Sequence, residues 1–381
     1  MTETSEEIEE SSKTNPTDRK DVSEEALALV RDADVIDMHI DTYTPMRLFG
    51  YDPKRRHGKG VLGGRLFGHL DLPRIEESGL KGAMWSITTN PFRFAAKRWR
   101  QLESNIADLR RFVAESDALA IVSNLSEYRK VRASGRHAVM LAVQGGNALD
   151  MGVPERRLPD PALMRVTLMH LTGSAIGGSS SPFGMARHLT EHGMGLIQML
   201  DEARVFVDLA HSHPDSFWEA YVIHDRTLPL LVTHTGVRGV KGHWRNLDDA
   251  QLRAVAETGG VVGIMFHAGF LRRRKGPKDA RMITEHIRHA VKVAGEDHVG
   301  IGSDYDGFIV PPSDMRSGTS YAIIADELLK VGMSEKVVRK ILGQNFLRAL
   351  GEMRGKARTA KRRNKAQPSN KEPSNKEDDG S

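Results

Sequence analysis

The chain of 381 residues contains no cysteine. That excludes disulfides, thiolate nucleophiles and thiolate metal ligands together. No stretch reaches the roughly 18 apolar residues that a membrane-crossing helix needs, and the C-terminus lacks the apolar tail of a lipid-anchor signal. The first 30 residues are polar and acidic, unlike a secretory leader. These absences lead to the expectation of a cytoplasmic protein without a membrane span. The body of the chain also lacks zinc-finger spacing, an aromatic-basic RNA motif and a Gly-rich phosphate loop with a lysine. No GxGxxG follows the first apolar run, which argues against a dinucleotide fold. The net charge of +5 comes from the basic C-terminal tail. It reads as a solvated tail, so nucleic acid is not an expected partner.

Both ends are poor in core-forming residues. Residues 2–10 hold five Glu, and the stretch from Arg354 to Lys365 holds seven Lys or Arg with no large aliphatic side chain. Beyond it, Pro368-Ser369-Asn370-Lys371-Glu372 repeats directly through Glu377. Such segments bury too little apolar surface to offset chain entropy. The expected organisation is a disordered acidic segment over 1–25, one domain over 26–352, and a disordered basic tail over 353–381.

Within the domain, apolar runs alternate with segments of helical periodicity. Strands are expected at Val35–His39, Lys81–Ile87, Ala138–Val143, Arg165–Met169, Arg204–Leu209, Pro229–Thr233, Gly260–Phe266 and His298–Ser303. Helices are expected at Arg100–Ser116, Thr190–Glu202, His213–His224, Asp248–Thr258, Asp279–Gly295 and Ser334–Leu350. Near-continuous apolar strands separated by helices indicate a parallel sheet covered on both faces. Eight such units predict an α/β fold, a single-domain (β/α)8 TIM barrel.

The polar residues then acquire a pattern. His39 and Asp41 alternate at the end of the first strand and so share a face. Gln144, His170, His211, His234 and Asp304 also stand at or just beyond strand ends. In a barrel those ends meet on one face, so residues scattered along the chain become neighbours. His39, Asp41, His211, His234 and Asp304 offer three imidazoles and two carboxylates. That donor set suits zinc or a similar divalent ion at a catalytic site. A bound ion lowers the pKa of water to about 7 and polarises a carbonyl. The expected chemistry is hydrolysis of an amide or related bond.

The motifs Asp37-Met38-His39-Ile40-Asp41, Asp208-Leu209-Ala210-His211, Thr233-His234-Thr235, Arg245-Asn246-Leu247-Asp248-Asp249, Gly302-Ser303-Asp304-Tyr305-Asp306-Gly307 and Gly343-Gln344-Asn345-Phe346-Leu347-Arg348 carry a closer resemblance. In order and spacing they resemble the membrane (renal) dipeptidase family of metallopeptidases, within the amidohydrolase superfamily, from about Asp34 to Leu350. The resemblance implies a dipeptidase that cleaves a small dipeptide and, in animal members, a homodimer. It implies that His39, Asp41 and Asp304 hold a first ion and His211 and His234 a second. Asp304 would shuttle the proton of the attacking water, His170 would steady the tetrahedral oxyanion, and Arg245 would take the dipeptide's carboxylate, a task that suits guanidinium geometry.

Two positions depart from that family. Its pattern has a metal-bridging Glu in a Glu-Gly-Gly context, where this chain has Gln144-Gly145-Gly146. Two dications carry four positive charges; Asp41, Asp304 and a hydroxide supply only three negative ones. The second ion should therefore bind weakly. At His267 the animal member has a Tyr near the substrate carboxylate, which changes the pocket chemistry. The readings that remain are a dipeptidase, a single-metal hydrolase of another amide or a lactone, and a barrel that binds without catalysis.

Overall fold

A computed structural model describes residues 21–58, 63–90, 92–182 and 186–354. Most of the two termini expected to be disordered lies outside these residues. At the inner edges the structure adjusts the boundaries. A helix already runs over Glu24–Asp32, with the Ser23 side chain accepting from the Ala26 N–H as its N-cap, and the last helix continues to Arg354.

Nine parallel strands form one sheet: β1 Val35–Ile40, β2 Leu80–Thr88, β3 Leu119–Ile121, β4 His137–Gln144, β5 Arg165–Thr167, β6 Phe206–Asp208, β7 Leu231–Thr235, β8 Val261–Ile264 and β9 Val299–Ile301. The order β2-β1-β9-β8-β7-β6-β5-β4 closes through a β2–β4 pairing, so eight of the nine make the TIM-barrel-like α/β fold. The ninth, β3, was not expected. It pairs with the first half of β4 (Leu119 opposite His137), while β5 takes up the second half (Ala142 opposite Arg165). β4 is thus long enough to serve two short neighbours in succession.

The barrel is filled by methionine and β-branched side chains. Met38, Met84, Met140 and Phe206 belong to one buried cluster with Ile36, Leu231 and Val261. The Met38 methyl needs space against the nearby strands β8 and β9: a Cβ at Gly263 or Gly300 would lie 2.7 or 3.0 Å from it. A second, larger cluster fills the layer between strands and helices, with Leu102, Ile106 and Leu109 of the helix Ala95–Ala114 among its members. The apolar spacing along that helix buries one stripe and leaves charge on the other.

The helix expected as one piece over Ser334–Leu350 is broken. Glu335–Arg339 gives way to a wide turn, Lys340–Gln344, before the helix Asn345–Arg354. Gly343 is pressed against the chain entering β1, where a Cβ would stand 1.9 Å from the Asp34 carbonyl oxygen. The Asn345 amide then donates to the Glu296 and Val299 carbonyls, 2.8 Å each, and anchors the restart beside β9. The periodicity continues through this break, so it left no mark on the apolar pattern.

Candidate metal centre

The residues singled out at strand ends gather at the C-terminal mouth of the barrel. His39 lies in β1 and His234 in β7, and Gln144 is the last residue of β4. His170, His211 and Asp304 stand just past β5, β6 and β9. His211 (φ 66°) and Asp304 (φ 65°) have left-handed backbone, as do Asp306 and Phe308. Such conformations cost about 1–3 kcal/mol and persist where surrounding contacts fix them. Here the Asp304 N–H donates to the His39 carbonyl (3.0 Å), and the Ser180 N–H donates to the His211 carbonyl (2.7 Å).

Three buried carboxylates hold these segments. Asp37 accepts from the His39 and Ser303 N–H groups and from the Tyr321 hydroxyl, at 3.0, 2.9 and 2.6 Å. Asp208 accepts from the Ala210 and Thr233 N–H groups, at 3.0 and 2.9 Å. Asp306 accepts from the Gly68 and His69 N–H groups and from the Thr42 hydroxyl, at 2.9, 2.7 and 2.7 Å. None of the three was identified from sequence as a site residue. Their signal was weak, since an Asp near a strand end also reads as a helix cap or turn.

His39, His234 and Asp304 form the one group of three potential ligands, among the described residues, whose donor atoms all lie within 4.8 Å of one another. His39 Nε2 is 3.2 Å from Asp41 Oδ2 and 3.6 Å from Asp304 Oδ1. The His39 and His234 rings overlap with centroids 3.7 Å apart. His211 Nε2 lies 2.9 Å from His234 Nε2, and the His170 ring meets His211 edge-on at 5.0 Å. The Gln144 amide nitrogen is 3.4 Å from His211 Nε2, and its oxygen accepts from the Thr88 hydroxyl at 3.0 Å. Gly307 is the floor of the cluster: a Cβ there would stand 2.5 Å from Asp304 Oδ1 and 2.7 Å from Asp41 Oδ2.

The electrostatics suit a cation. Removal from water depresses the His39 pKa, holds His170 at about 4, and puts His211 and His234 well below the usual imidazole range. All four are therefore neutral at pH 7, with a lone pair to offer. Burial, then the neighbouring Asp41, raises the Asp304 carboxyl well above the carboxylate range. Asp41 Oδ1 and His211 Nδ1 are buried with no hydrogen-bond partner. Buried polar atoms without partners are costly, and a divalent ion would relieve this arrangement. The residues fit one ion well. At the position of a second, Gln144 contributes a neutral amide whichever way it is turned.

Behind the ligands lies a buried network that sequence reasoning missed. Arg165 donates to Asp208 Oδ2 (3.1 Å) and to Ser86 Oγ (2.7 Å). Thr233 Oγ1 donates to Asp208 Oδ2 (2.7 Å) and lies 2.9 Å from His234 Nδ1. Since the hydroxyl proton goes to the carboxylate, His234 Nδ1 is the donor and Nε2 keeps its lone pair. Arg165 opens the strand expected at Arg165–Met169, and nothing in that local pattern points to its contact with Asp208.

The cluster opens into a cavity of about 460 Å³. Arg245 lines it, buried, with Nη2 donating to the His234 carbonyl at 2.7 Å and Nε without a partner. Burial lowers its guanidinium to about 10, so it remains a cation at neutral pH. His267 also lines the cavity. Its Nδ1 accepts from the Val310 N–H (3.0 Å), so the neutral ring carries its proton on Nε2.

Comparison with known proteins agrees with this geometry. The family model described as membrane dipeptidase (peptidase family M19) matches residues 23–364. A dipeptidase, verJ, from Clonostachys rogersoniana is 26% identical over 344 residues, covering 85% of each chain. An uncharacterized Klebsiella pneumoniae protein from the pqqA 5' region is 35% identical over 183 residues, 47% of this chain and 66% of that one. This match thus spans just under two thirds of the relative's length. The solved structure of dipeptidase AC, a metallopeptidase of family M19, superposes with a TM-score of 0.71 at 25% identity, covering 85% of this chain and 99% of that one.

Proposed function

Because the chain belongs to the membrane dipeptidase family, peptidase family M19, whose members depend on metal, we propose that it hydrolyses the amide bond of a dipeptide. The observation that carries this reading is the joining of His39, His234 and Asp304 to a pocket that also presents the Arg245 cation. A zinc or similar ion, when bound, supplies a Lewis acid that polarises a carbonyl and makes water a better nucleophile.

The chain's own groups have complementary tasks. His39, Asp41, His234 and Asp304 would hold the ion. Arg245, with Nε unpartnered, would receive the substrate carboxylate and fix the orientation of the scissile bond. Asp304, at the mouth of the pocket beside the ion, would take a proton from water and return it to the leaving amine. His170, at the pocket wall, would donate toward the carbonyl oxygen as charge develops there.

A specific residue favours a second reading. With Gln144 neutral, His211 lacks an anionic partner for a second ion, so we propose one tightly held ion per chain. A single-metal hydrolase of another amide or a lactone fits the same donor set. Metal content measured beside a dipeptide panel on one purified sample separates the readings. About one ion per chain and turnover that chelator and Asp304→Asn both abolish are expected. Metal without dipeptide turnover would shift the assignment to another amide or lactone. No metal under any loading condition would leave a non-catalytic barrel.

A further inference from the structure

The charged groups that line the cavity, among the described residues, are Asp41, Asp304 and Arg245. Each already has a task in the hydrolase reading, on which this inference rests. The remaining wall is uncharged and largely apolar, with Leu171, Trp244, Phe270, Phe308 and Ile309 as its bulk. A charged substrate side chain would lose water there without gaining a partner, which is unfavourable. An apolar one would gain by burial.

The wall at the mouth is also built with some rigidity. Phe308 has φ 60°, which is uncommon for a bulky side chain. Its ring meets Phe49 and Phe67 edge-on, at 6.2 and 5.8 Å, and those two stack on each other at 5.1 Å. Phe308 nevertheless remains 44% exposed, Phe49 57% and Leu171 52%. Strained backbone that holds an aromatic ring toward water, four residues after the ligand Asp304, is poorly explained by packing alone.

We infer that this wall is a side-chain subsite and that the preferred substrates are dipeptides with a bulky apolar residue. Acidic and basic side chains are selected against. The zinc-loaded protein should be tested with Ala-Xaa and Xaa-Ala dipeptides in which Xaa is Gly, Leu, Phe, Asp or Lys. At one position or both, kcat/KM for Leu or Phe should exceed that for Gly by about tenfold or more, with Asp and Lys below Gly. Phe308→Ala should narrow the Phe-to-Gly ratio, and Phe308→Leu, which keeps apolar volume, should retain most of it. A flat panel at both positions, or a preference for Asp or Lys, overturns the inference while leaving the dipeptidase reading intact. If no dipeptide is cleaved, that reading fails separately, and thermal stabilisation of the zinc-loaded protein still interrogates the subsite. Greater stabilisation by Ala-Phe than by Ala-Asp supports it; equal or smaller stabilisation overturns it.

Discussion

Arg165 stands directly behind His39, its Nη2 3.1 Å from the ring Nδ1. A guanidinium can only donate. Facing Arg165 alone, Nδ1 would be held as an acceptor and the ring proton would sit on Nε2, the nitrogen aimed at Asp41. Ser86 provides the alternative. Its Oγ lies 3.3 Å from Nδ1 and can accept the proton there, while also accepting from Arg165. Nε2 is then free to bind an ion.

Ser86→Ala should therefore weaken zinc binding by roughly 10- to 100-fold, the usual effect of removing a group that orients a ligand. Competition against a chromogenic chelator measures this, and circular dichroism checks that the fold is retained. Ser86→Thr should restore most of the affinity. Unchanged affinity in the Ala variant would show that His39 needs no acceptor at Nδ1.

Gln144→Glu should raise the metal content from about one ion per chain to about two. The new carboxylate would stand beside His211, where the amide nitrogen is now 3.4 Å from Nε2. It would supply the missing negative charge between two cations. Elemental analysis after dialysis gives the count, and an unchanged count would defeat the charge argument.

Gly307→Ala should abolish tight metal binding. The added methyl would lie 2.5 Å from Asp304 Oδ1 and 2.7 Å from Asp41 Oδ2, so both carboxylates would have to move. The outer barrel does not depend on this position, and the change in melting temperature of the metal-free protein should be small. Normal metal content in this variant would contradict the placement of the two carboxylates.

Acid should destabilise the protein through His137, which is far from the metal cluster in the sheet, at the start of β4. Its Nδ1 lies 3.0 Å from the Leu80 carbonyl, and its Nε2 accepts from the Trp85 indole N–H at 3.2 Å. Both nitrogens are thus committed with the ring neutral, and burial lowers its pKa to about 4. The unfolded chain, with a pKa of about 6.5, binds the proton first. Stability is therefore full above pH ~6.5 and falls as pH drops toward ~4, by about 3 kcal/mol in all. Urea melts at pH 7 and pH 5 should show the loss, and His137→Gln should reduce it. Equal pH dependence in the variant would count against a neutral buried ring.

Much of the fold was readable in advance because its signals are local. Apolar runs marked all eight barrel strands, and helical periodicity marked about half of the helices, leaving out Leu125–Ala133 and Tyr321–Lys330 among others. β3 escaped because Leu119–Ile121 is too short to show a period. The interruption at Gly343 escaped because only the neighbouring Asp34 carbonyl requires it. At the site, residue type and position at strand ends brought out His39, Asp41, His211, His234 and Asp304. Ser86 and Arg165 had no such mark; Asp208 and Gly307 fell inside quoted motifs, but their part, like that of the other two, depends on what each touches.

Residue chemistry and local periodicity were enough to establish the alternation of strand and helix, the absence of thiolate chemistry and the supply of imidazole and carboxylate donors. These follow from side-chain chemistry and from periods of two and 3.6 residues, which act over a few positions. Folding in three dimensions was needed to set which donor atoms lie within reach of one another, which nitrogen of each imidazole faces them, and where a Cβ would clash. Those properties depend on barrel closure, which brings Arg165 against a ring 126 positions away. No local pattern can encode a contact whose two halves are joined only when the last strand meets the first.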